Sequence, residues 1–229
     1  MAITTLIEIL AAAGKSALLV IATLLPIMNP PSAAPIFLSL TEGADRATRA
    51  ELARRIAINV FLLTLGCMLV GSYVLKFFGI SLDIVRVGGG LLVAQTGWQL
   101  LEADKGRSPG SAMIAEAYTP EMVRNTAFYP LSFPITCGPG TLAATITVGA
   151  SLAHPSWSMS AVHTAGSVIG LAVVAAVVLL CYRYAEKLLR PLGETGTVVF
   201  LRLSAFILLC LGIQIMWDGA EALLSGVLR

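Results

Sequence analysis

Apolar runs dominate this chain, and charged residues fall between them. Residues 16–41 carry no charged side chain between Lys15 and Glu42, and residues 56–75 carry none between Arg55 and Lys76. A third run fits about 83–102, with Arg86 near one end. Between Arg124 and Arg183 lie 58 residues without Asp, Glu, Lys or Arg. That length is too long for one helix and right for two, with the turn at His154-Pro155-Ser156. A further run fits about 198–219. A membrane-crossing helix needs roughly 20 apolar residues, so the pattern predicts six spans. The polar stretch 103–126 contains Gly106, Pro109 and Gly110 and reads as a loop with a surface segment.

Composition sharpens this picture. Of 229 residues, 57% are hydrophobic and 12% charged, against roughly 45–50% and 25% in soluble domains. Mean hydropathy is +0.86. A polytopic, all-helical membrane protein is expected, forming one transmembrane domain over 1–229. Intrinsic disorder, a secreted disulfide scaffold and nucleic-acid binding are excluded. The net charge of +2 says little about partners. Its distribution says more: ten Lys and Arg lie in the links after spans one, three and five, and four lie on the other side, with Arg202 at the start of span six. The positive-inside rule then puts those links in the cytoplasm and both termini outside. Arg46 to Arg55 read as a solvated start of span two. Cys67, Cys137, Cys181 and Cys210 form no C-x-x-C pair and read as small buried hydrophobes. No basic residue precedes the first apolar stretch, so a cleaved signal peptide is not expected.

The chain also resembles itself. Pro26-Ile27-Met28-Asn29-Pro30-Pro31 aligns with Pro134-Ile135-Thr136-Cys137-Gly138-Pro139, 108 residues on. Arg86 through Gln99 resembles Arg202 through Gln214 at nearly the same offset. A unit of three spans therefore occurs twice, over 1–102 and 127–229, joined by a cytoplasmic link at 103–126. An odd number of spans inverts the second copy, as in many transporters. The prolines break helices one and four, because proline lacks an N–H and displaces the residue before it from the helical region. Asn29 lies 14 residues from Lys15 and 13 from Glu42, near mid-membrane. Cys137 is similarly deep.

Freed backbone groups at that depth are tolerated only where protein or a polar cavity satisfies them. The half-helices after Pro31 and Pro139 are expected to begin with unpaired N–H groups, which attract a carboxylate. The carbonyl ends before them suit an ammonium group. The expected substrate site is therefore Asn29, Pro30, Pro31, Ser32, Thr136, Cys137, Gly138, Pro139, Gly140 and Thr141. Gln95 and Gln214 are expected to line it from related positions. The deep parts of the spans hold no charged residue, so the expected ligand is a small neutral zwitterion. No metal or cofactor is expected.

At these motifs the chain resembles the MarC family. Pro26 to Pro35, followed by Ile-Phe-Leu-Ser-Leu-Thr41, is similar to one family signature. Pro130-Leu-Ser-Phe-Pro134 with Ile-Thr-Cys-Gly-Pro-Gly140 is similar to the second. Arg86-Val-Gly-Gly-Gly90, Gln214 and Asp218-Gly219 also match. The resemblance implies a six-span bacterial inner-membrane protein, and some relatives are described as neutral amino-acid transporters. Cys137 departs from the small residue expected at its position.

Other residues read more simply. Asn59 and Gln99 read as amides that bond across helices, and Gly166 with Gly170 as a tight-packing pair. Arg86 and Arg202 read as snorkelling to the interfaces. His163 reads as a hydrogen-bonded interface residue. Asp218 and Glu221 read as solvated helix-end carboxylates. The leading function is a secondary transporter of small neutral solutes, most of all neutral amino acids, in contact with the bilayer and open to homo-oligomerisation. The alternative is a passive exporter or channel of the lysine-exporter-like type. An intramembrane enzyme is not expected, since no H-E-x-x-H and no paired intramembrane aspartates occur.

Overall fold

The computed structural model describes residues 2–41, 43–102, 125–152 and 156–227. Nine helical segments and one short 3₁₀ turn, Arg190–Leu192, occur among them. The helices are α1 Ala2–Met28, α2 Pro30–Leu40, α3 Arg46–Phe77, α4 Leu82–Glu102, α5 Ala127–Thr136, α6 Pro139–Ser151, α7 Trp157–Arg183, α8 Ala185–Leu189 and α9 Gly193–Val227. The predicted link 103–126 lies almost wholly outside the described residues. So do His154 and Pro155, while Ser156 caps α7.

Local chemistry sets the helix ends. The Asp45 side chain accepts the Thr48 N–H at 2.8 Å and starts α3, as an N-cap carboxylate does. Arg46 to Arg55 continue into the apolar part without interruption, so α3 is 32 residues long. Gly79 at φ 68 turns the chain after α3, a conformation open to glycine without cost. At Asn29 the backbone takes φ 43, which Asn tolerates better than most residues. In α5, Tyr129 and Phe133 have extended φ/ψ, each before a proline. The Tyr129–Pro130 and Phe133–Pro134 peptide bonds are cis.

Ile7–Met28, Arg46–Phe77, Trp157–Arg183 and Thr195–Ser225 are each long and apolar enough to cross a membrane. The α5–α6 pair, bent by 70°, makes a fifth candidate. Among the described residues, four to five candidate spans therefore stand where six were expected. The difference lies in α4. Its 21 residues reach about 31 Å at 1.5 Å per residue. Arg86, four glycines and two glutamines dilute its apolar character.

Packing follows small residues. The most extensive helix pair is α4 with α9. A Cβ on Gly97 would lie 2.5 Å from the Leu209 nitrogen and 2.9 Å from the Ala205 carbonyl oxygen. One on Gly90 would lie 2.6 Å from the Gly212 carbonyl oxygen. Gly166 and Gly170 of α7 pack against Ala13 and Ala17 of α1, so this G-x-x-x-G is used within the molecule. The Ser16 hydroxyl lies 2.8 Å from His163 Nδ1 and ties the same two helices. Asn59 of α3 donates to the Ser132 hydroxyl of α5 at 3.1 Å. The contacts are reciprocal: α1 packs on α7 as α3 packs on α5 and α6. The core runs through Leu24, Phe37, Ile56, Leu131, Val174 and Tyr182. The outside is apolar as well, with Leu18, Leu62, Leu91 and Phe206 exposed. An exterior of this kind suits contact with hydrocarbon rather than water.

Candidate functional site

The two proline breaks differ chemically. At the first, Asn29 N–H donates to the Leu25 carbonyl at 2.8 Å. Pro30 and Pro31 carry no N–H, so no donor returns to the carbonyls of Pro26 and Ile27. The next two donors are already used: Ser32 N–H and Ala33 N–H both reach the Asn29 carbonyl, at 3.0 and 3.3 Å. The start of α2 therefore offers no free amide. This corrects the expectation that the half-helix after Pro31 presents unpaired N–H groups. What the break presents instead is acceptors. The carbonyls of Pro26, Ile27 and Met28 receive no hydrogen bond among the described residues.

The second break keeps free donors. Gly138 caps α6, and Leu142 N–H returns to its carbonyl at 3.2 Å. Pro139 has no N–H. Gly140 and Thr141 each keep an N–H with no acceptor among the described residues, at the positive end of a helix. Both residues are buried. Acceptors thus end α1 and donors begin α6, and these two helices are packed together.

Side chains at the breaks fall into three groups. Asn29, Pro31 and Gly138 are half-buried, and Pro30 is buried. Ser32 is buried and its hydroxyl has no partner among the described residues. Thr136 and Cys137 are buried in the core. The Thr136 hydroxyl donates to the Leu131 carbonyl at 2.6 Å and accepts from Tyr182 at 2.7 Å. Thr136 is therefore fully engaged, and Pro139 is exposed. Gln95 and Gln214 are exposed on α4 and α9. Gln214 bonds Asp218 one turn on, at 2.7 Å. The expectation that the two glutamines share a cavity is corrected here. The helices meet through Gly90, Gly97 and Gly212, which turns both amides away from the interior.

A cavity of about 510 Å³ reaches the start of α6, within the roughly 300–1,000 Å³ of small-molecule sites. Gly140 and Gly89 line it, and Thr23 and Thr147 supply hydroxyls. Arg86 and Asp218 line it as well. Arg86 uses one N–H on Asp83 at 2.8 Å, which leaves other donors of its fork available. Gly219 lets α9 approach here: a Cβ would stand 2.8 Å from Arg86 Cβ. Arg86, Asp218, Thr23 and Thr147 were not among the expected site residues. The signal for the first two was present, since both belong to the motifs that carry the family resemblance.

At the start of α3 the arrangement is closed. Tyr182 is fully buried and stacks on Phe37 with ring centroids 4.8 Å apart and planes 10° apart. Its hydroxyl reaches Thr136 at the second break.

Comparison with known proteins agrees with a membrane-embedded chain. The family model described as "MarC family integral membrane protein" matches residues 14–224. The UPF0056 inner membrane protein MarC of Salmonella typhimurium is 32% identical over 202 residues, covering 86% of this chain and 90% of the relative. Those of Citrobacter koseri and Escherichia coli O139:H28 are 31% and 30% identical, with the same coverage. No solved structure matches the chain.

Proposed function

This chain belongs to the MarC family of integral membrane proteins, and from that premise we propose that it is a secondary transporter of small neutral zwitterions, foremost neutral amino acids. The observation that carries this reading is the pairing of free acceptors at the end of α1 with free donors at the start of α6, on two helices packed together. Free carbonyls at the end of α1 suit an ammonium group. Free N–H groups at Gly140 and Thr141 suit a carboxylate. The cavity that meets Gly140 also carries Arg86 and Asp218, one charge for each end of an entering zwitterion.

The reciprocal packing of α1 on α7 and of α3 on α5 and α6 supports two inverted three-helix repeats. In that arrangement α4 is the third span and the substrate lies between the breaks. The cavity opens at the α4 start, and the Phe37–Tyr182 stack closes the opposite end. Alternating access is then a rocking of one repeat against the other. The charge bias places the α3 start in the cytoplasm and both termini in the periplasm, and the names of the relatives point to the inner membrane. No residue is assigned catalysis.

The test is thermal unfolding of the detergent-purified protein against a panel of amino acids. A ligand at 100 times its dissociation constant stabilises by about 2.7 kcal/mol. Neutral amino acids are expected to raise the midpoint, and Gly140→Val or Arg86→Gln to remove most of the rise. Uphill uptake into liposomes under a sodium or proton gradient then separates a coupled transporter from a passive exporter. A flat response across the panel, with no solute flux in liposomes, overturns the reading.

A further inference from the structure

A second cavity, of about 380 Å³, lies at the opposite end of the bundle, where α3 begins and α7 ends. Its walls carry Arg46, Arg49, Arg183, Lys187 and Arg190, against a single carboxylate, Glu186. That carboxylate is already taken, because Glu186 pairs with Arg49. Arg49 also sends Nε and Nη2 to the Thr41 carbonyl, both at 3.2 Å. Lys187 sits 5.6 Å over the Tyr184 ring. Arg46, Arg183 and Arg190 have no hydrogen-bond or ion-pair partner among the described residues.

Four uncompensated cations around one concave space repel each other, and an anion placed between them removes the repulsion. Three of the four are guanidinium groups, whose planar forks fit phosphate oxygens in pairs. The surroundings are half apolar. Leu38 lines the cavity, and Tyr184, Leu188 and Leu192 beside it are 46%, 42% and 40% exposed. Cations in a pocket bordered by exposed leucines, at the end of membrane-crossing helices, present one surface to a headgroup and another to acyl chains. Tyr182 forms the inner wall, so an occupant rests on the residue that closes this end of the bundle.

We propose that this cavity is a binding site for a phosphate-bearing anion, supplied in the membrane by the headgroup of an anionic phospholipid. The site is separate from the solute cavity and stands whether or not the chain carries amino acids.

The experiment uses the full chain in neutral detergent. Melting midpoints are measured with phosphatidylglycerol, with phosphatidylcholine, and with sodium phosphate against sodium chloride at equal ionic strength. The wild type is compared with Arg183→Gln/Arg190→Gln and with Lys76→Gln, an exposed cation at the other end of α3. Phosphatidylglycerol is expected to raise the wild-type and Lys76→Gln midpoints more than phosphatidylcholine does, and the double variant is expected to lose at least half of that difference. A rise with sodium phosphate alone, lost in the double variant, also supports the site and makes its ligand a soluble phosphate. Should the double variant not fold, Arg46→Gln on the facing wall replaces it with the same readings. An equal response of wild type and cavity variants, or no response to either anion, overturns the proposal.

Discussion

The hydroxyls of Tyr182 and Thr136 meet at 2.7 Å inside the core. The contact joins the end of α7 to the last residue of the broken segment before α6. Because Thr136 already donates to the Leu131 carbonyl, the phenol is the donor and Thr136 the acceptor. One hydrogen bond therefore connects the closed end of the bundle to the second break.

Tyr182→Phe removes that donor and keeps the ring on Phe37. A buried hydrogen bond contributes about 1 kcal/mol, so the expected loss of stability is of that order. Tyr182→Ala also removes a large buried ring and is expected to cost roughly 3–5 kcal/mol, as for other large aromatic truncations. Denaturant or thermal unfolding in detergent measures both, and equal losses for the two variants would contradict the stacking role.

Pro31→Ala returns an N–H to the first break, four residues on from the Ile27 carbonyl. The helix gains a donor where it had none, so the melting midpoint is expected to hold or rise. Ligand affinity is expected to fall about tenfold, near 1.4 kcal/mol, because one of the free acceptors is consumed. A variant that is both stable and unimpaired in ligand-induced stabilisation would remove the first break from the site.

The small-residue seam gives a paired prediction, read by thermal unfolding in detergent. Gly97→Leu drives a side chain into the backbone of α9 and is expected to destabilise by about 1–3 kcal/mol or to prevent folding. Gly88, on the same helix, is exposed and has nothing within 4 Å of its missing Cβ. Gly88→Ala is therefore expected to be neutral or to stabilise by roughly 0.5–1 kcal/mol.

The start of α3 is sensitive to acid. The hydrogen bond from Thr48 holds the Asp45 carboxyl below its usual value of 3.8. A depressed folded-state pKa contributes stability that is present above the unfolded value and lost as pH falls through the folded one. Melting midpoints of wild type and Asp45→Asn are expected to diverge above about pH 4 and converge below it. The difference is small because Asp45 is exposed.

Much of this architecture is legible in the apolar runs and the prolines. Uncharged stretches mark the long helices, and the chain does break at Asn29 and between Thr136 and Pro139. The polarity of the first break is not as expected, although the cause is elementary: Pro30 and Pro31 delete the donors that a carboxylate would need. The glutamines differ for another reason. Apolar and polar positions on α4 follow no one-sided pattern, so the sequence does not say which face turns inward, and Gly90 and Gly97 rather than Gln95 decide it. Arg86 and Asp218 look like interface residues in the sequence because nothing local reveals a cavity among α1, α4, α6 and α9.

The glycine seam has a mechanical side. Bulky side chains interlock as ridges in grooves and hold two helices in register. Gly90, Gly97 and Gly212 leave few ridges between α4 and α9, so one helix meets the other as a smooth rail. Each glycine faces a particular stretch of the partner backbone, Gly90 that of Gly212 and Met216 and Gly97 that of Ala205 and Leu209, so the seam fits in this register. The most extensive pair among the described helices is thus also one in which backbone rests on backbone, with no room for an added methyl group at the seam.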